Sequence, residues 1–152
     1  MESLRRYGFA GIRLSTRPDA IDEDVLAVLK RYGVTAIELG AQSMRDEVLL
    51  ANTRGHRAAD VEAAAALIKA RGFSLGLQMM TGLYKDTDEG ARFTAEEFIR
   101  LQAETVRIYP AITLPGTALA HWYEKGRYRP QTLEEAVALC AELLERFDAA
   151  GV

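Results

Sequence analysis

Apolar residues recur along this chain in two alternating rhythms. Short runs such as FAGIRL, VTAIEL and LGLQMM are separated by longer stretches in which apolar positions return every three or four residues. The short runs read as strands and the longer stretches as amphipathic helices. Three junctions share one form: RRYGFAGIRLS, LKRYGVTAIELG and IKARGFSLGLQMM each carry a basic helix end, then glycine, then an apolar strand. Glycine just past a helix takes the left-handed backbone without a Cβ penalty, and cations in the last turn suit the helix dipole. Gly8, Gly33 and Gly72 are therefore expected to be helix stops. The fourth strand, TVRIYPAI, follows FIRLQAE with no glycine between them. Helices are expected over about 22–32, 58–71, 91–103 and 132–149, with shorter helical pieces over RDEVLLAN and TALAHWYEKG. Thr132 and Glu135 have the spacing of a capping box, each side chain satisfying a backbone donor at the helix start.

Strands alternating with helices of this length pair in parallel through right-handed crossovers, so the fold class is α/β. Four such units are about half of a (β/α)8 barrel, which predicts a parallel (β/α)4 half-barrel with two open strand edges. At the N-terminus RRYGF reads as the last turn of a helix, and at the C-terminus RFDAAGV repeats the helix-glycine-apolar junction and stops at Val152. The chain thus reads as a single α/β domain cut from a longer series.

The composition changes this picture little: 152 residues, 49% hydrophobic and 27% charged, are enough for one packed core. A net charge of −3 with interleaved signs gives no polybasic footprint for nucleic acid. No run approaches the roughly 20 apolar residues of a membrane span, and the N-terminus lacks a signal-peptide core. A cytoplasmic location is expected, with no membrane partner. The cysteine count matters more. Cys140 is the only cysteine, too few for an iron-sulfur cluster or a structural zinc site built from this chain alone. Its helical spacing with Leu133, Val137 and Leu144 predicts a thiol packed in the core.

In parallel α/β folds the loops leaving the C-terminal strand ends carry the chemistry. Here they are STRPDAI, GAQSMRD, QMMTGLYKDTDEG and YPAITLPGT. STRPD reads as a turn in which Asp19 can cap the following helix and Arg17 supplies charge. Gln42 offers an amide donor and acceptor to a ligand, beside Ser43, which reads equally as a cap. Arg54, ahead of Gly55 and His56, is either a bidentate carboxylate receptor or a solvated helix end. Alternation of Leu75, Leu77 and Met79 against Gly76, Gln78 and Met80 turns Gln78 toward the interior or the mouth. Met79, Met80 and the aromatic residues read as core. His121 has no second ligand at metal spacing, and GxxxxGK[ST], GxGxxG, HExxH and GxSxG signatures are all absent. Asp and Glu fall mainly on polar helix faces, and no paired carboxylates emerge.

Taken in order, RLSTRPDAID, VLAVLKRYGVTAIELGAQS, TRGHRAADV, GLQMMTGL and VRIYP resemble the later part of the radical S-adenosylmethionine (radical SAM) barrel. The likeness is to the branch shared by the elongator catalytic subunit and oxygen-independent coproporphyrinogen dehydrogenase, and it covers nearly the whole chain. It implies a (β/α)6 partial TIM barrel of which these strands are about the third to sixth, the strand with the CxxxCxxC-type loop lying outside the chain. For the parent protein it implies S-adenosylmethionine and a 4Fe-4S cluster as cofactors, with cleavage to a 5'-deoxyadenosyl radical. Gln42 and Arg54 match positions that contact S-adenosylmethionine. Gln78 stands where many relatives have an acid near the ribose, and Ser15 where many have Glu. TGLYKDT replaces a GLPGDT-like loop, with Tyr84 and Lys85 in place of Pro and Gly. Cofactor-binding candidates are thus Gln42, Arg54, Gln78 and Ser15, with no catalytic residue and no metal ligand assigned. The expectation is a fragment inactive alone, partnered by a missing N-terminal half of the barrel or by a second copy in a homodimer. The elongator branch implies a nucleic-acid substrate such as transfer RNA and the porphyrin branch a small molecule, and the STRPD and RGH stretches lean toward the first. The alternative is a non-catalytic, self-associating half-barrel or engineered scaffold.

Overall fold

The computed structural model describes residues 7–152. Four strands, β1 (Ile12–Thr16), β2 (Val34–Gln42), β3 (Ser74–Thr81) and β4 (Thr105–Pro110), form one sheet in the order β1-β2-β3-β4. Every neighbouring pair is parallel, as the long helical connections require, and β1 and β4 lie at the edges. The helices are α1 (Glu23–Arg31), α2 (Asp46–Ala51), α3 (Ala58–Ala70), α4 (Asp88–Arg100), α5 (Ala118–Glu124) and α6 (Leu133–Ala149), with a short 3-10 turn at Pro18–Ala20. The α/β fold and the parallel sheet are those the alternation implied.

Period-two alternation divides each strand between two faces. Ile37, Leu39, Leu75, Leu77 and Met79 are buried against Leu26, Val61, Ala65, Ile68, Ala95 and Phe98 of the helices. The opposite face carries Arg13, Ser15, Glu38, Gly40, Gly76, Gln78, Thr105 and Arg107, and is polar. All the large apolar strand residues that form the core therefore lie on the helix side, and the open face is free for chemistry.

The junction glycines behave as expected: Gly8, Gly33 and Gly72 have φ of 78°, 79° and 72°. The helix expected before Gly8 lies outside the described residues. Where no glycine precedes β4, Gln102 takes the left-handed conformation instead, at φ 56°. Lys69 Nζ donates to the Leu101 carbonyl at 2.8 Å and to Gln102 Oε1 at 3.2 Å, holding that turn. The capping box of α6 is formed, with Glu135 N–H donating to Thr132 Oγ1 at 3.2 Å and Thr132 N–H to Glu135 Oε2 at 2.9 Å. At its other end Val152 N–H donates to the Phe147 carbonyl at 3.0 Å, closing the helix around Gly151.

Four expectations need correction. The helix expected over 91–103 spans Asp88–Arg100, because Thr87 caps it by accepting from Gly90 N–H at 3.1 Å and Gln102 ends it early. Asp19 does not cap the helix after it. The 3-10 turn intervenes, and Asp22 accepts from Val25 N–H at 2.7 Å in its place. Cys140 is half-buried rather than core, since α6 turns Leu139, Leu143 and Phe147 inward and leaves Leu133, Val137 and Leu144 exposed. Helix α6 carries two apolar stripes, and periodicity alone selects neither. Finally, Phe73, Phe98, Tyr128 and Phe147 are buried with Met79, while Tyr7, Phe9, Tyr32, Phe93, Tyr109 and Tyr123 are exposed and Met80 is half-buried.

Candidate cofactor site

Register brings three of the four candidate residues together. Ser15 pairs with Glu38, and the bulge between Leu39 and Gln42 lets β2 reach the mouth beside Met79 of β3. Gln78 Nε2 donates to Ser15 Oγ at 3.1 Å and to Glu38 Oε2 at 3.0 Å, and Ser15 Oγ donates to the same Glu38 oxygen at 3.1 Å. Gln42, at φ 69°, folds back over Gly40. A Cβ at residue 40 would lie 2.9 Å from Gln42 Nε2 and 3.9 Å from Gln78 Oε1, so the glycine makes room for both amides.

Glu38 was not singled out from the sequence, and it is the hub. Its carboxylate is 2% exposed and fully partnered: Arg13 Nη1 at 2.8 Å and Arg107 Nη2 at 3.1 Å on Oε1, Ser15 and Gln78 on Oε2. Burial pushes its pKa up, but the bonds from Arg13, Gln78 and Ser15 and the charge of Arg107 outweigh that, and the net shift is downward. Glu38 is therefore held ionised. The available signal was an acidic residue inside an otherwise apolar strand, VTAIELG, where a charge must find partners.

Arg54 stands apart from this group, in the middle of the loop joining α2 to α3. It is half-buried, not a solvated helix end, and its Nε is buried with no hydrogen-bond partner among the described residues. Burial first, and the nearby Arg17 charge second, lower its pKa. Arg17 itself is committed to Asp19 through bonds of 2.9 and 2.6 Å, so no carboxylate of the STRPD turn neutralises Arg54. His56 ties this loop to the sheet: buried, it donates from Nε2 to the Ala41 carbonyl at 3.1 Å, next to Gln42. That positioning role was not read from the sequence.

The neighbouring loops are fastened from the helix side. Thr94 of α4 donates to the Gly90 carbonyl at 2.9 Å and accepts from Met44 N–H at 3.1 Å, while Ser43 Oγ accepts from Arg45 N–H at 3.2 Å. In the TGLYKDT loop Gly82 and Lys85 have φ of 71° and 64°. Tyr84 stacks on Trp122 with centroids 4.2 Å apart and meets Tyr128 edge-on at 6.4 Å, and Tyr128 donates to the Gly82 carbonyl at 2.7 Å. This aromatic cluster packs against the loop and holds it from the side of α5.

A cofactor bearing a carboxylate and a sugar fits part of this arrangement, because Arg54 offers an unanswered buried donor and Gln42 an amide above a glycine. An iron-sulfur cluster does not fit. The single thiol, Cys140, lies on α6, and among the described residues no group of three or more His, Cys, Asp or Glu is placed to hold a metal.

An open polar face on a parallel α/β sheet, with its candidate site at the strand C-termini, defines an α/β layer of the partial-barrel kind. Residues 2–98 match the model of the radical SAM superfamily, residues 103–152 match that of the radical SAM C-terminal domain, and the chain belongs to the radical SAM superfamily. The tRNA uridine(34) acetyltransferase of Dehalococcoides mccartyi is 29% identical over 137 residues, covering 88% of this chain and 30% of that protein. The solved structure of Elp3 from Methanocaldococcus infernus superposes with a TM-score of 0.82 at 28% identity, over 88% of this chain and 32% of that one. Coproporphyrinogen III oxidase from Escherichia coli shares the fold, with a TM-score of 0.75 at 21% identity over 98% of this chain and 36% of that one. The chain is homologous to Elp3-type enzymes and spans half or less of the length of the curated relatives it matches. Among the described residues no helix is long and apolar enough to cross a membrane.

Proposed function

We propose that this chain supplies the S-adenosylmethionine-facing loops of a radical SAM enzyme of the Elp3 type, and that it is inactive without a cysteine loop contributed by polypeptide outside it. The observation that carries the reading is the buried, unpartnered Nε of Arg54. A guanidinium desolvated without a counter-charge is costly, and a ligand carboxylate held in bidentate fashion relieves that cost. Gln42, at a left-handed turn and anchored through Ala41 to His56, gives the neutral donor and acceptor suited to a sugar. Ser15 and Gln78 belong to the same wall, but their donors are spent on Glu38, so they orient that carboxylate and shape the pocket.

When bound beside a reduced cluster, S-adenosylmethionine supplies a 5'-deoxyadenosyl radical. This chain binds the cofactor's carboxylate, positions its sugar and walls one side of the site against water. Similarity to tRNA uridine(34) acetyltransferases makes transfer RNA the leading substrate for the whole enzyme. A self-associating scaffold without cofactor finds no comparable support.

Calorimetric titration with S-adenosylmethionine tests the reading. Saturable binding that is lost in Gln42→Ala and Arg54→Ala, both with unchanged circular dichroism, is expected. Absence of binding by the folded chain overturns it.

A further inference from the structure

Two half-exposed guanidiniums converge on one carboxylate in the middle of the open face. Arg13 and Arg107 are 41% and 52% exposed, yet both meet Glu38 Oε1, at 2.8 and 3.1 Å. One cation would neutralise Glu38, so the second leaves the trio with a net charge of +1. Each arginine commits a single terminal nitrogen to Glu38, and Arg13 Nη1 also donates to Thr105 Oγ1 at 3.0 Å. Arg13 Nε and Nη2 make no hydrogen bond among the described residues.

The trio is built rather than incidental. It joins β1, β2 and β4, spanning the whole sheet across Gly76 of β3, where a Cβ would lie 2.6 Å from Glu38 Cγ and 2.9 Å from Thr105 Oγ1. Ser15 and Gln78 fix the other carboxylate oxygen, so Glu38 cannot rotate away. A carboxylate held in this way keeps two flexible arginines in one place, with Arg13 Nε and Nη2 unspent and Arg107 shared between Glu38 and the Tyr109 side chain, which lowers the ordering cost of binding an anion. Planar forks of this kind suit carboxylate and phosphate oxygens.

We propose that Arg13 and Arg107, held by Glu38, form a receptor for the carboxylate or phosphate group of a small anionic ligand on the open face. That this ligand is the substrate of the radical reaction rests on the S-adenosylmethionine reading; the anion site itself does not.

The test follows the arginine side-chain N–H signals by nuclear magnetic resonance while the chain is titrated with inorganic phosphate and, separately, with malonate. Saturable shifts of the Arg13 and Arg107 signals are expected for at least one anion, and the tighter of the two identifies the source. Arg107→Gln, at an edge strand, is expected to weaken binding about tenfold, as loss of a charge-assisted contact does, while Arg31→Gln, exposed in the last turn of α1, leaves it unchanged. Should Arg107→Gln fail to fold, the wild-type shifts alone decide. No saturable shift with either anion means a structural ion-pair network only and overturns the proposal. Equal binding by wild type and a folded Arg107→Gln also overturns it. S-adenosylmethionine binding that survives in Arg107→Gln keeps the two readings separate.

Discussion

Gln78 of β3 donates to Glu38 of β2 at 3.0 Å, and in doing so spends the amide that sequence resemblance places near a ribose. Ser15 on β1 bonds the same carboxylate oxygen at 3.1 Å. The resemblance implies an acid at each of these positions, and both are neutral here. Three carboxylates within hydrogen-bond reach would repel one another, so a single acid at 38 with neutral donors at 15 and 78 is the arrangement that can stay ionised.

Glu38→Ala removes the acceptor of Arg13, Ser15 and Gln78 and the counter-charge of Arg107, and is expected to cost about 1–2 kcal/mol, because these donors are exposed or half-buried and can turn to water. Urea unfolding at pH 7 measures it. The pH dependence has a definite sign. The folded-state pKa of Glu38 lies below its ordinary 4.5, so the carboxylate's contribution is complete above that value and disappears as pH falls through the lower folded value. The gap between wild type and Glu38→Gln should therefore be constant from pH 7 to 5 and close below 4.5.

Gly76→Ala forces a methyl to within 2.6 Å of Glu38 Cγ. Overpacking of this kind costs about 1–3 kcal/mol. The same variant should loosen the Arg13 and Arg107 side chains, read as narrowed arginine N–H signals. A thermal midpoint within one degree of wild type would contradict the close packing.

The orientation of α6 predicts a contrast between adjacent leucines. Leu143 is 0% exposed and Leu144 61%. Leu143→Ala should destabilise by about 3 kcal/mol through the cavity it leaves, and Leu144→Ala by less than about 0.5 kcal/mol. Denaturant midpoints of the two variants distinguish this from the opposite face assignment.

Glu142 links α6 to α4 through Arg92 Nε at 2.9 Å, with Arg146 on its own helix at 2.9 Å. Hydrogen bonds from Arg92 and then Arg146 lower its pKa to about 2. The contribution is present above the ordinary 4.5 and fades as pH falls toward 2, and because the groups are exposed it should also fade in salt of about 1 M, where screening acts over about 3 Å. Thermal melts of Glu142→Gln against wild type at pH 7, pH 2 and high salt check both.

Much of the fold was legible because glycine after a basic helix end is a local device: Gly33 and Gly72 mark their junctions without help from tertiary structure. Gln102 does the same work with φ 56° and gave no sign, because its conformation depends on Lys69 from another helix. The face of α6 was misread for a related reason. Leu143 and Leu144 are equally apolar, and only the neighbouring sheet decides which one is buried. At the site, Gln42 and Arg54 were visible as residue types in the right loops. Glu38 and its arginines were not, since their meeting depends on parallel register between residues 25 and 69 positions apart in the sequence. His56 was hidden likewise, its partner being a backbone carbonyl.

The central claim, that Arg54 receives the carboxylate of S-adenosylmethionine, is tested most directly by comparing that ligand with 5'-methylthioadenosine, which lacks the amino-acid portion. Calorimetry of wild type and Arg54→Ala with both ligands gives a four-corner cycle. Wild type should prefer S-adenosylmethionine, and Arg54→Ala should lose roughly tenfold or more of that preference while binding methylthioadenosine unchanged. An equal preference in both proteins would contradict the account.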